Sequence, residues 1–193
     1  MEEACYSPRL DDAIALATDA FRDVRRKGSG IPYLSHLLQV MVYVAEAGGD
    51  EDQMIAAVLH DYLEDIDGAT ADEVEDRFGM RVARLVEGLS DAVSRPKPPW
   101  KERKQRYLDH LRTAPAELKL ISCADKLHNA ESIHRDFLVI GDLLWDRFTA
   151  SRDETLWYYA SIVDALAHQW HAPLLDRLRG EVESMHAAVD VTG

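Results

Sequence analysis

The sequence predicts an all-α protein, on three observations. Apolar residues recur at three- and four-residue spacings almost throughout, which is the period of one helix face. No stretch shows the sustained alternation of a half-buried strand. Glycine and proline fall where the helical runs stop, as helix breakers and openers should.

Each element follows from a local signal. A first helix is predicted over Pro8 to Lys27, with Ile14, Ala17, Phe21 and Val24 on one face, and Gly28-Ser29-Gly30 breaks it. Pro32 suits the first turn of a second helix running to Ala47, stopped by Gly48 and Gly49. A third covers Asp50 to Asp65. Thr70 with Glu73 reads as a capping box opening a short fourth helix that Gly79 closes, and another runs from Met80 to Val93. Arg95, Pro96, Lys97, Pro98 and Pro99 form the one true loop signature. Helix returns over Trp100 to Thr113, and Pro115 opens a long helix to Leu138. Residues 141–151 read as irregular, and two last helices fill Arg152 to Gln169 and Pro173 to His186.

Composition bounds the function. At 193 residues and 47% hydrophobic content the chain can bury a sizeable core. Two distant cysteines, Cys5 and Cys123, fit a reducing cytosol better than a disulfide framework. No secretory signal and no membrane-spanning run is read, so a cytoplasmic location is expected. A net charge of -13 argues against a DNA or RNA binder, which needs a basic face. It leaves room for a small phosphorylated substrate, because a local basic cluster or a divalent cation can reverse the potential within one cleft. A homo-oligomer is compatible with all of this.

The chemistry-bearing residues sit in apolar helical surroundings, where an unpaired ionisable group is costly to bury. A His-Asp dyad arises about once by chance in such a composition, so His60-Asp61 alone proves little. On a continuous third helix, His60 with Glu64 and Asp61 with Asp65 each share a face. These acids are either a solvated helix end or the surroundings of a cation. The second reading has an argument behind it, because the macrodipole disfavours acids at a helix C-terminus. Asp125 directly follows the stretch Leu118 to Ala124, which should be largely buried, so it must pair, with Lys126 or Arg135, or ligate a cation. His128 and Asn129 follow it on the same face. His36 precedes an apolar run, and its claim as a ligand depends on the others. Arg95, Lys97, Lys101, Arg103, Lys104 and Arg106 form either a solvated, acid-balanced face or a phosphate-attracting rim. Trp157, Tyr158 and Tyr159 read as core, or as a shelf for a base.

Three segments then carry a resemblance: R-R-K-G-S-G-I-P-Y-L-S-H (25–36), A-A-V-L-H-D-Y-L-E-D (56–65) and I-S-C-A-D-K-L-H-N (121–129). Together, and in this order, they resemble the HD superfamily of metal-dependent phosphohydrolases. More narrowly, they resemble the hydrolase domain of RelA/SpoT-type alarmone enzymes and the small alarmone hydrolases. The connecting F-G-M-R-V-A-R-L-V-E-G-L-S (78–90) is similar as well. The resemblance implies an HD-domain helical bundle over residues 1–140, with a C-terminal helical extension over 141–193 packed on it.

It also implies that His36, His60, Asp61 and Asp125 bind one divalent ion, Mn²⁺ in that family or another divalent metal. Glu64 and Asp65 match the acidic pair that positions or activates water. Arg26 and Lys27 match a basic pair at the nucleotide site, and Asn129 matches a substrate-contacting asparagine. The implied activity is removal of the 3′-pyrophosphate from guanosine 3′,5′-bis(diphosphate). The rivals are hydrolysis of another nucleotide or dinucleotide phosphate, and a metal-binding sensory module without turnover. The chain departs from the alarmone pattern in three places. The Arg26–His36 spacing is one residue longer, Leu37 stands where proline is common, and Glu131 stands where arginine is usual.

Overall fold

In the computed structural model, which describes residues 5–90 and 98–192, the chain forms two compact units, Met1–Arg95 and Pro96–Gly193. The structure is helical, with one isolated antiparallel bridge between Arg25 and Pro32 among the described residues. Arg95, Pro96 and Lys97 of the proline loop lie outside the described residues.

The first unit holds α1 (Pro8–Ala20), α2 (Leu34–Glu46), α3 (Glu51–Val58), α4 (Tyr62–Asp65), α5 (Ala71–Phe78) and α6 (Met80–Leu89). Ser7 caps α1, and its hydroxyl and backbone N–H both donate to Glu51 in the first turn of α3, at 2.7 and 2.9 Å. Helix α1 stops seven residues before the predicted Lys27. Arg26 N–H instead donates to Ile31 O and Tyr33 N–H to Val24 O, both at 2.9 Å. Gly28 and Gly30, at φ 78° and 70°, supply the left-handed positions that reverse the chain. Helical periodicity in this stretch is overridden by a hairpin that gives the same backbone groups other partners. Pro32 therefore lies in the bridge rather than in the first turn of α2.

The predicted third helix is broken at the His60-Asp61 dyad. In a continuing helix Ala57 O would accept from the N–H of Asp61. Here it accepts from the Nδ1–H of His60 at 2.7 Å, while Tyr62 N–H closes a tighter turn onto Leu59 O at 2.8 Å. At α5, Thr70 accepts from Glu73 N–H at 3.2 Å, but the Glu73 carboxylate takes the Tyr62 hydroxyl at 3.0 Å. Only half of the predicted capping box forms there. A complete one opens α3, between Asp50 and Gln53. Leu37, Val40, Val44, Ile55, Val58 and Val82 are fully buried in this unit's core.

The second unit holds α7 (Trp100–Thr113), α8 (Ala116–Ile140), a 3₁₀ helix over Gly141–Arg147, α9 (Arg152–Ala167) and α10 (Pro173–Thr192). Helix α7 has the predicted bounds. Helix α8 packs against α9 and α10, with Ile121, Ile162, Leu175 and Leu178 in its core. A complete Ser151–Glu154 capping box opens α9, and Gln169, in the left-handed region at φ 54°, lies past its end. Buried Lys119 donates to the carbonyls of Arg112 and His168, so its ammonium serves the C-terminal ends of α7 and α9. Lys101 lies 3.3 Å from the centre of the Trp157 ring, and Lys104 lies 5.0 Å from that of Tyr158. Arg106 pairs with Glu102 at 2.7 Å. Arg103 Nε donates to Pro98 O at 3.2 Å, so the described part of the basic cluster has partners in its own unit. No described helix is long and apolar enough to cross a membrane.

Candidate metal centre

The first unit brings three of the sequence-predicted ligands together. His36 enters from the first turn of α2, on the face that also buries Leu37 and Val40. His60 and Asp61 enter from the break between α3 and α4. Both imidazoles are withdrawn from solvent, at 0% and 3% exposure. Their rings meet edge to face with centroids 5.1 Å apart. His60 Nε2 lies 3.0 Å from Asp61 Oδ2, and His36 Nε2 lies 3.9 Å from the same oxygen.

The tautomer of His60 follows from its neighbour. A carbonyl only accepts, so the bond to Ala57 O places the proton on Nδ1. A neutral ring then presents the Nε2 lone pair towards a carboxylate oxygen. That contact is repulsive unless a proton or a cation lies between the two atoms. Two imidazole nitrogens and a carboxylate oxygen form a mixed N/O donor set with no thiolate, which suits a divalent cation. Their spacing fits ligands whose bonds to one ion are about 2.0–2.2 Å long. The donors present in this unit fit such an ion.

The other predicted residues of this unit are near in sequence but differ in exposure. Glu64 is half-buried and Asp65 exposed on α4. Asp65 N–H donates to Asp61 O at 2.9 Å, so one helical turn still links that pair. Arg26 and Lys27 sit on the hairpin rather than on a helix, Arg26 half-buried and Lys27 exposed. Tyr33 was not predicted as a site residue. Its hydroxyl donates to Asp61 Oδ2 at 2.6 Å. Its position three residues before His36 was the only available signal.

In the second unit, Asp125 is 7% exposed in the middle of α8. Lys126 pairs with its Oδ2, and Asn129 Nδ2 donates to its Oδ1 at 2.5 Å. Burial pulls the Lys126 ammonium down, but the Asp125 carboxylate outweighs it and holds the group well above the usual lysine range. Of the two cations the sequence offered as partners, Lys126 takes the role, and Arg135 lies 3.9 Å from Asp136 instead. Glu131 lies 3.7 Å from Arg177 of α10. Burial pushes the Cys123 thiol up to about 12, so it offers no thiolate at neutral pH.

A family model described as an HD domain matches residues 13–140. The chain belongs to the HD-domain family. Among curated relatives, the zebrafish (Danio rerio) guanosine-3′,5′-bis(diphosphate) 3′-pyrophosphohydrolase MESH1 is 35% identical over 129 residues, 65% of this chain and 69% of that protein. The bifunctional (p)ppGpp synthase/hydrolase SpoT of Escherichia coli K12 is 31% identical over 164 residues, 82% of this chain but 22% of SpoT. Among solved structures, one described as a metazoan ortholog of SpoT that hydrolyzes ppGpp superposes with a TM-score of 0.78. It is 27% identical, and the match covers 94% of this chain and 97% of that one. A Listeria monocytogenes EGD-e protein superposes with a TM-score of 0.69 at 28% identity, over 77% of this chain and 96% of that one.

Proposed function

We propose that this HD-domain protein is a metal-dependent phosphohydrolase that removes the 3′-pyrophosphate from guanosine 3′,5′-bis(diphosphate). The observation that carries the reading is the convergence of His36 Nε2 and His60 Nε2 on one Asp61 oxygen, in a chain similar to MESH1 and SpoT. Asp125 is the fourth ligand on this reading, and Mn²⁺ the ion, with other divalent metals as substitutes. Residues 1–140 carry the hydrolase domain, and 141–193 are the helical extension. The cytoplasm is the compartment.

The protein's own groups have separate tasks. His36, His60, Asp61 and Asp125 hold the ion. Bound there, a divalent cation lowers the pKa of water and neutralises charge developing on the phosphoryl oxygens. Glu64 or Asp65 accepts the proton of the attacking water. Water oxygen bonds to phosphorus as the bond to the ribose 3′-oxygen breaks. That oxygen takes a proton, and guanosine 5′-diphosphate and pyrophosphate leave. Arg26 and Lys27 meet the phosphates, and Asn129 meets the nucleotide.

A second reading, another nucleotide phosphoester in the same site, is favoured by Glu131, an acid where the alarmone pattern has arginine. The test is a panel of nucleotides incubated with metal-stripped protein and Mn²⁺, scoring released phosphate and pyrophosphate. Pyrophosphate from the guanosine tetraphosphate is expected. Turnover of ordinary nucleotides alone would remove the alarmone reading, and turnover of none would remove the enzyme.

A further inference from the structure

We propose that Tyr33 is a positioning residue of the metal centre, acting through Asp61; the inference rests on the metal-centre reading above. Asp61 Oδ2 is the oxygen that faces both imidazole Nε2 atoms, and it is also the oxygen that accepts the Tyr33 hydroxyl, at 2.6 Å. A carboxylate at the start of a four-residue helix has a soft terminal torsion, so its facing oxygen needs a partner to hold it. The phenol is that partner. It directs one oxygen at the two nitrogens, and its proton draws charge from that oxygen, which tunes Asp61 as a ligand.

The ring itself is held independently of its hydroxyl. Phe21, 1% exposed, stacks on it at 5.4 Å and 14°, and His36 meets it edge-on at 5.4 Å and 73°. Its backbone N–H donates to Val24 O across the hairpin, and its carbonyl accepts from His36 N–H at 2.8 Å. One residue therefore joins the hairpin carrying Arg26 and Lys27, the helix carrying His36, and the carboxylate of Asp61. Because aromatic stacking and backbone bonds fix the ring, replacing Tyr by Phe removes the hydroxyl while leaving these other contacts in place.

The experiment compares wild type, Tyr33→Phe and His36→Ala, each stripped of metal and checked by circular dichroism and melting. Mn²⁺ affinity is measured by calorimetry, and the visible spectrum of the Co²⁺-loaded protein reports ligand geometry. Tyr33→Phe is expected to weaken Mn²⁺ binding by about 10- to 100-fold, the usual effect of losing a group that orients a ligand. It should also shift the Co²⁺ bands, with the metal-free melting curve and helicity kept. An affinity within twofold of wild type and an unchanged Co²⁺ spectrum would overturn the role of Tyr33. In that case loss of binding in His36→Ala would leave the metal centre itself standing. Wild-type affinity in His36→Ala would sink the metal-centre reading, and the Tyr33 inference with it.

Discussion

His60 performs two tasks with one ring. Its Nδ1–H donates to the Ala57 carbonyl where α3 ends, and that bond leaves Nε2 as the atom aimed at Asp61. The contact at the helix end selects the tautomer able to ligate. The dyad was legible in the sequence because two ionisable residues inside an apolar run need an explanation. The break was not, since nothing in A-A-V-L-H-D shows that the helix will stop short of the dyad and resume after it. Tyr33 was illegible for a related reason: a phenol three residues before a histidine is ordinary until the fold sets it against Asp61. Asp125 was legible from its burial alone, and Lys126 and Asn129 now account for both of its oxygens within its own helix. If Asp125 is a ligand, Asp125→Ala abolishes tight Mn²⁺ binding by calorimetry. Retained stoichiometric binding would show that Asp125 is not a ligand.

At the scale of elements, the helices were read best where proline or glycine brackets a periodic run. Helix α7 keeps its predicted bounds, and α2 and α8 differ by one or two residues. Two of the differences lie where non-local partners win, whereas α10 simply runs six residues past the predicted His186. Helix α1 loses its last turns to the Arg25–Pro32 hairpin, and the box expected at Thr70 yields Glu73 to Tyr62. The box at Asp50 carries a pH-dependent expectation. Partial burial raises the Asp50 pKa, but the Gln53 N–H and the Arg81 guanidinium outweigh it and leave the carboxyl below its usual value of about 3.9. A depressed carboxyl stabilises the fold fully above its unfolded pKa and loses that contribution as pH falls through the folded value. Asp50→Ala should therefore cost about 1 kcal/mol in urea unfolding at pH 7, as for a lost N-cap. The gap between variant and wild type should begin to narrow as pH falls below about 4. A gap that persists unchanged at pH 3 would assign the effect to something other than the charged cap.

For the whole molecule, a net charge of -13 and a phosphorylated substrate have to be reconciled. Long-range steering works against the encounter, so on the proposed function binding is won locally, by a cation and by Arg26 and Lys27. That places the metal at the centre of the account, as the group without which both affinity and turnover fail. Composition alone argued against a general nucleic-acid binder and left room for a small phosphorylated substrate. The most direct test titrates Mn²⁺ into metal-stripped protein while following pyrophosphate release from guanosine 3′,5′-bis(diphosphate) at each addition. No release is expected without metal, and release should rise until it saturates at one ion per chain. Full release from the stripped protein, or saturation with metal and no release, would contradict this expectation.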